Sequence, residues 1–233
     1  MRPLLILILS FSLSIAAFGQ QDSLGFTNKA EAKNQMVHGL KEGKWVEYID
    51  IMGNPTNNSK KEYIYTLTVY KTGKPFGVAR SYYCDGDKLL RVFPYINGEV
   101  NGVAKWYYES GGLLCETLFK DGKENGLSKK YAETGELTDE NMYAKGMQNG
   151  ISRSYYFDGE LFSEATYIND SKVFEKTYYK NGKVKYEDST DNCRNSYGYA
   201  KNEVQKEYYE NGVLENEAYF SYGNYIWSKK GVL

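Results

Sequence analysis

One phrase recurs along this chain: a hydrophobic residue, a basic residue, one or two tyrosines, and then a polar residue followed by glycine. It reads VAKWYYESG at 103–111, LSKKYAETG at 127–135, ISRSYYFDG at 151–159, FEKTYYKNG at 174–182 and VQKEYYENG at 204–212. A unit repeated every 20 to 50 residues or so folds by stacking neighbouring copies, each too small to bury its own face, so the architecture is modular. Taking the residue before each hydrophobic start as the origin gives Gly43, Gly77, Gly102, Gly126, Gly150, Val173 and Glu203, spaced 34, 25, 24, 24, 23 and 30 residues apart by subtraction. The two long spacings contain polar, turn-forming insertions, NPTNNSKKE at 54–62 and DSTDNCRNSYGYAKN at 188–202.

Each unit reads as a β-hairpin. Val103 to Tyr108 is β-branched and aromatic, Ser110-Gly111 is a turn, Leu113 to Phe119 is a second strand, and KDGKEN at 120–125 leads into the next copy. No helical period competes. The expected fold is all-β: seven hairpins over 43–221, about fourteen strands in one elongated, twisted, open sheet. Residues 20–42 form a leader, and residues 222–233 form a tail, the two segments available to cover the sheet edges.

A two-residue turn sets a register in which Lys105 faces Glu116, Lys129 faces Glu140, Arg153 faces Glu164, Lys176 faces Glu187 and Lys206 faces Glu217. Opposite charges in all five copies favour that register over its neighbours. The second copy departs, with Arg80 meeting Val92. The same register places Gly102, Ala104, Tyr108, Leu113, Thr117 and Phe119 on the more buried face, with Phe119 across from Gly102. The charge pairs lie on the other face, interleaved with Val103 and Tyr107.

The phrases GKWVEY at 43–48, GVAKWYYESGGLLCETLFKDGKENG at 102–126 and YYENGVLENEAYF at 208–220 resemble the bacterial variant of the MORN repeat. The resemblance implies hairpin sheets used as scaffolds and interaction modules. Some such arrays have been assigned lipid binding, and bacterial members are often labelled antitoxin-like. The family carries no catalytic residues, so none transfer to this chain.

The first nineteen residues read as a secretory signal peptide: Arg2, an apolar run from Leu4 to Ala17, and small residues before Gln20. The run is shorter than the roughly 20 residues that span a bilayer. The expected location is therefore exported, periplasmic, cell-surface or extracellular, after cleavage near Gly19/Gln20. Without Arg2, the 29 basic and 30 acidic residues become 28 and 30, a net charge of −2. That balance argues against nucleic acid, and the glutamate opposite each basic residue argues against anionic lipid.

Chemistry of the catalytic kinds is not spelled out. His38 is the single histidine, in a glycine-flanked leader turn; there is no phosphate-cradling loop, and the carboxylates are dispersed instead of converging. Cys84, Cys115 and Cys193 are an odd set without the regular spacing of a disulfide framework, leaving at most one bridge. EDSTD at 187–191 reads as a solvated loop before a calcium site. No enzyme, cofactor or metal is expected. What remains is the aromatic content, 24 tyrosines against 10 phenylalanines. One tyrosine row, Tyr82, Tyr107, Tyr131, Tyr155, Tyr178 and Tyr208, shares the charged face and is the candidate partner-binding strip, since tyrosine combines rigid contact area with a polar tip. The adjacent row, Tyr83, Tyr108, Tyr156, Tyr179 and Tyr209, lies on the other face. A protein partner is expected first and a cell-envelope glycan second; Trp45, Trp106 and Trp227 do not recur in register, which weakens the glycan reading.

Overall fold

A computed structural model of the chain describes residues 25–57, 63–190 and 202–231. The signal-peptide segment, Cys193 and most of the second insertion lie outside these residues. Seventeen strands form one open antiparallel sheet in which sequence neighbours pair, except that the sixth and the seventh strands both pair with the fifth. They are β1 (Gln35–Val37), β2 (Leu40–Ile49), β3 (Ile64–Lys71), β4 (Lys74–Tyr83), β5 (Leu89–Ile96), β6 (Glu99–Val100), β7 (Gly102–Tyr107), β8 (Leu113–Lys120), β9 (Lys123–Tyr131), β10 (Leu137–Ala144), β11 (Met147–Tyr155), β12 (Leu161–Ile168), β13 (Ser171–Tyr178), β14 (Val184–Thr190), β15 (Asn202–Tyr208), β16 (Leu214–Ser221) and β17 (Asn224–Lys230).

The predicted fourteen hairpin strands are β2–β5 and β7–β16. Three strands were not anticipated. The leader supplies β1, a short piece before Gly102 supplies β6, and the tail is itself a strand, β17, paired to β16 and exposed throughout. The second insertion is shorter than its polar composition suggests, because β14 runs to Thr190 and β15 starts at Asn202.

The register of all five charge pairs is as predicted, as are Arg80 opposite Val92 and Gly102 opposite Phe119. The turn differs. Tyr108 N–H donates to the Gly112 carbonyl at 2.8 Å and Gly111 N–H to the Tyr108 carbonyl at 2.9 Å, closing a three-residue loop with Gly111 at φ +95°. The loop is one residue longer than expected, and a bulge in the second strand takes up the offset: Trp106 faces Cys115 while Tyr107 faces Leu113. Loop and bulge together restore the register of a two-residue turn. Leu113 consequently sits opposite Tyr107, on the charged face and not on the buried one.

The origin glycines serve a second bulge, between copies. At Gly126 (φ +123°), β9 spends four residues where β8 spends two, from Thr117↔Ser128 to Phe119↔Glu124. A Cβ there would stand 2.7 Å from Leu118 Cδ2. Where Val173 replaces the glycine the bulge shrinks to one extra residue, and where Glu203 replaces it the strands pair without a break.

Along the middle of the face opposite the charge pairs, Ala104, Thr117, Ala165 and Ala218 are buried. These are small side chains under larger neighbours in a single layer. Among the described residues the hydrophobic core cluster lies at the N-terminal end. There Phe26 of the leader packs on Tyr65 and Leu67, with Val46, Tyr48, Tyr82 and Cys84 around them. The leader thus covers the edge of the sheet, as expected, by pairing β1 with β2, and in addition covers a sheet face over β2–β4.

Candidate functional site

The charged face is organised by the repeat and extended by the stacking. Within hairpins the ion pairs measure 3.7 Å (Lys105–Glu116), 3.5 Å (Lys129–Glu140), 2.8 Å (Arg153–Glu164), 3.3 Å (Lys176–Glu187) and 3.8 Å (Lys206–Glu217). Each glutamate also stands opposite the basic residue of the next copy: Glu116↔Lys129, Glu140↔Arg153, Glu164↔Lys176, Glu187↔Lys206 and Glu217↔Lys229. The row is therefore one continuous ladder of alternating charge from Lys105 to Lys229. Sequence reasoning found its rungs in pairs and missed the continuity, which depends on how successive hairpins align.

Both tyrosine rows tie one hairpin to the next. On the charged face Tyr131, Tyr155 and Tyr208 donate their hydroxyls backwards to Glu116 (3.2 Å), Glu140 (2.8 Å) and Glu187 (2.8 Å). Burial, then the hydrogen bond to the carboxylate, pushes the Tyr155 and Tyr208 hydroxyls up to about 12. Burial opposes the charge on Glu187, but the Tyr208 hydroxyl and the Lys176 ammonium outweigh it and hold that carboxyl below its usual range. On the other face Tyr108, Tyr156 and Tyr179 donate forwards to the carbonyls of Tyr131 (2.8 Å), Tyr178 (3.0 Å) and Tyr208 (2.8 Å). The remaining members of the candidate strip differ among themselves. Tyr82 stacks on Tyr65 at 5.0 Å beside the leader, Tyr107 lines a groove, and Tyr178 is half-buried opposite Val184. The strip is thus not a uniform row of open rings: three hydroxyls are held by glutamates, one ring is stacked on a neighbour, and Tyr107 borders open space.

That groove, of about 480 Å³, opens on the charged face over β4–β8. Val92 and Arg80 form its floor with Lys105 and Glu116; Leu89 and Tyr107 stand on one side, Val78, Pro94 and Val103 on the other. Its residues come from three adjacent rows of the sheet, a conjunction that only the register reveals. The available signal was the break in the charge pattern at Arg80 and Val92.

On the opposite face the central row of small residues changes character in the sixth copy. Glu175 and Asp188 stand directly across from each other where the third copy has Ala104 and Thr117. Burial, with Glu203 and Glu175 nearby, pushes the Asp188 carboxyl up to about 6. Among the described residues no group of three His, Cys, Asp or Glu side chains is placed to hold a metal ion. Cys115 is a half-buried thiol pushed up by burial, and His38 is exposed in the turn between β1 and β2 at φ +48°. Trp106 packs between Phe93 and Phe119, Trp227 stacks on Tyr219, and Trp45 donates to the Glu42 carbonyl, so the three indoles form no common platform.

The family model of the MORN repeat variant matches residues 100–121, 148–169, 175–192 and 204–222. The chain is a MORN-repeat protein. The four matches fall on the third, fifth, sixth and seventh copies; the fourth, with Tyr131-Ala132 in place of the tyrosine pair, repeats the same loop, bulge and ladder geometry. No curated protein matches the chain. Among solved structures, a mutant of S. aureus TarM in complex with fondaparinux, alpha-GlcNAc-glycerol and UDP is similar at 16% identity and a TM-score of 0.31, over 46% of this MORN chain and 20% of that one. A second TarM structure is similar at 9% identity and a TM-score of 0.23, over 52% and 19%. The chain thus spans about a fifth of the length of these structures, and a likeness of that size carries no argument about activity.

Proposed function

We propose that this MORN array is a non-enzymatic, exported scaffold that holds a protein partner on the charged face of its sheet. The observation that carries this reading is the groove over β4–β8, where the regular filling of that face by paired charges and tyrosine hydroxyls gives way to an open depression with apolar flanks. Elsewhere on the face the polar groups are committed to one another, which fixes a rigid surface around the depression. The signal-peptide reading of residues 1–19 supports an exported location, and the dispersal of carboxylates supports a binding role over a catalytic one.

Site-specific photocrosslinking tests the reading. A benzophenone side chain at Val103 or Leu118, on the charged face beside the groove, is expected to yield a discrete protein adduct in the native envelope. The same probe at Ser163, on the opposite face, is expected to yield none. Equal labelling from both faces, or adducts to glycan alone, would overturn the proposal.

A further inference from the structure

We infer that the outer edge of β17 receives an extended segment of a partner protein, a strand with a glutamate opposite Lys229, which supplies the second strand of an eighth hairpin. This edge is separate from the groove over β4–β8, and a strand can add to it whether or not the groove binds.

β17 is the first strand of a further copy of the repeat. Trp227-Ser228-Lys229-Lys230 has the form of Leu127-Ser128-Lys129-Lys130 in the fourth copy. Its origin, Ile226, lies 23 residues past Glu203 (226 minus 203), the spacing that separates Gly150 from Val173. The pairing agrees, since Lys229 stands opposite Glu217 as Lys129 stands opposite Glu116. From Lys129 to Lys206, each basic residue of the ladder has a second glutamate on its far side, supplied by its own hairpin. Lys229 has none among the described residues, so the alternation stops on a cation.

The backbone is open at the same place. Gly231 N–H donates to the Glu215 carbonyl at 2.9 Å. Antiparallel amides alternate between the two sides of a strand, so those of Ser228 and Lys230 point away from β16. β17 is exposed along all seven of its residues. The other end of the sheet is closed. Beyond β1, the Asn34 side chain accepts from Val46 N–H at 2.8 Å and donates to the Val46 carbonyl at 3.0 Å, while Lys33 N–H donates to the Lys44 carbonyl at 3.0 Å. The chain thus covers one edge and leaves a row of unpaired groups on the other among the described residues.

An open edge recruits a strand through main-chain hydrogen bonds, and its alternate side chains choose among candidates. The repeat itself states what fits. Its second strands carry an aliphatic residue three positions before the glutamate and, in four copies, an aromatic three positions after it, as in Leu161, Glu164 and Tyr167. On β17 such a strand would set its glutamate opposite Lys229 and its aromatic opposite Ile226, the relation of Tyr167 to Gly150. Two β17 edges would instead gather four lysines on one seam, which disfavours a second copy.

A fluorescein-labelled peptide of residues 160–169, ELFSEATYIN, tests this by anisotropy on the intact chain. It is expected to bind, and its Glu164→Lys form to bind about tenfold more weakly. Lys229→Glu should reverse that preference. Ser228→Pro, which removes an outward amide and no bond to β16, should abolish binding with the circular dichroism unchanged; the charge reversal carries the test should this variant disturb β17. Hydrogen exchange at Ser228 and Lys230 should slow when the peptide is present. No binding, or binding indifferent to both Lys229→Glu and Ser228→Pro, would overturn the inference. Binding lost through Val103→Trp but not through Ser228→Pro would place the peptide in the groove, overturning the edge site and leaving the scaffold reading standing. A dimer of the free chain in sedimentation velocity that Ser228→Pro dissociates would replace the external strand with a second copy.

Discussion

The two ends of this sheet are built from the same hairpin and held together differently. Over β2–β4 the leader lays Phe26 on Tyr65 and Leu67, and Leu67, Val78, Thr68 and Ser81 are all buried. Over β13–β17 no second layer is present among the described residues. Ala218 is buried there, Glu175 and Asp188 occupy the central row, and β17 is exposed from end to end. In a repeat array stability is close to a sum of local and nearest-neighbour terms, so the two ends should differ in stability even though their backbones are alike.

The largest effect should come from removing the two-layer packing. Leu67→Ala deletes a fully buried side chain beneath Phe26 and is expected to cost about 2–5 kcal/mol in denaturant unfolding. Ile226→Ala in β17, half exposed, should stay within about 0.5 kcal/mol. Similar losses at both sites would break the comparison. Hydrogen exchange should give the same ranking, with amides of β3 and β4 outlasting those of β16.

Asp188 offers a smaller and opposite effect at the other end. Its folded-state carboxyl is pushed up to about 6 from the ordinary 3.8, so the folded chain holds the proton more tightly than the unfolded chain does. Stability contributed by this group is therefore greatest at low pH and falls as pH rises from about 4 to about 6. Asp188→Asn should raise stability at pH 7 by about 1 kcal/mol, allowing for the solvent access of a half-buried group, and should leave it nearly unchanged at pH 4. The difference between the two proteins isolates this carboxyl from the ladder acids, such as Glu187, whose lowered pKa acts with the opposite sign. A loss of stability at pH 7 would mean that Asp188 is held by favourable contacts and that the open end is better packed than its burial suggests.

How much of this was legible in the sequence follows from where the information resides. The basic residue and the glutamate eleven positions on, as in Lys105 and Glu116, are local, and their repetition carried the register and the fold class correctly. The turn is not legible from the pairing, because a three-residue loop plus a bulge gives the same register as a two-residue loop. The continuity of the ladder was hidden because Glu116 and Lys129 are joined through a bulge whose size depends on Gly126. Phe26 was invisible as a core residue because a single aromatic in a polar leader has no period to betray the face it covers. The groove needed three rows at once, and the candidate strip, read as one row of tyrosines, contained only one member that lines it.

The smallest expected effect concerns the ladder itself. Arg153 approaches Glu164 through Nε and Nη2, both at 2.8 Å from one oxygen, and Glu164 also stands opposite Lys176. Both side chains are partly exposed, so solvent screens their attraction and ordering them costs side-chain entropy. A double-mutant cycle with Arg153→Gln and Glu164→Gln should give a coupling of about 0.2–1 kcal/mol, reduced further at 1 M salt, where the screening length is about 3 Å. Such a coupling is too small to hold a hairpin together. A one-residue slip, however, would move every ladder side chain to the opposite face and set small buried residues such as Ala104 in its place, so many weak pairs acting together select one register. A coupling above about 2 kcal/mol would place the stability of the open half in its charges, and the contrast between the two ends would then be one of charge against packing, not of one layer against two.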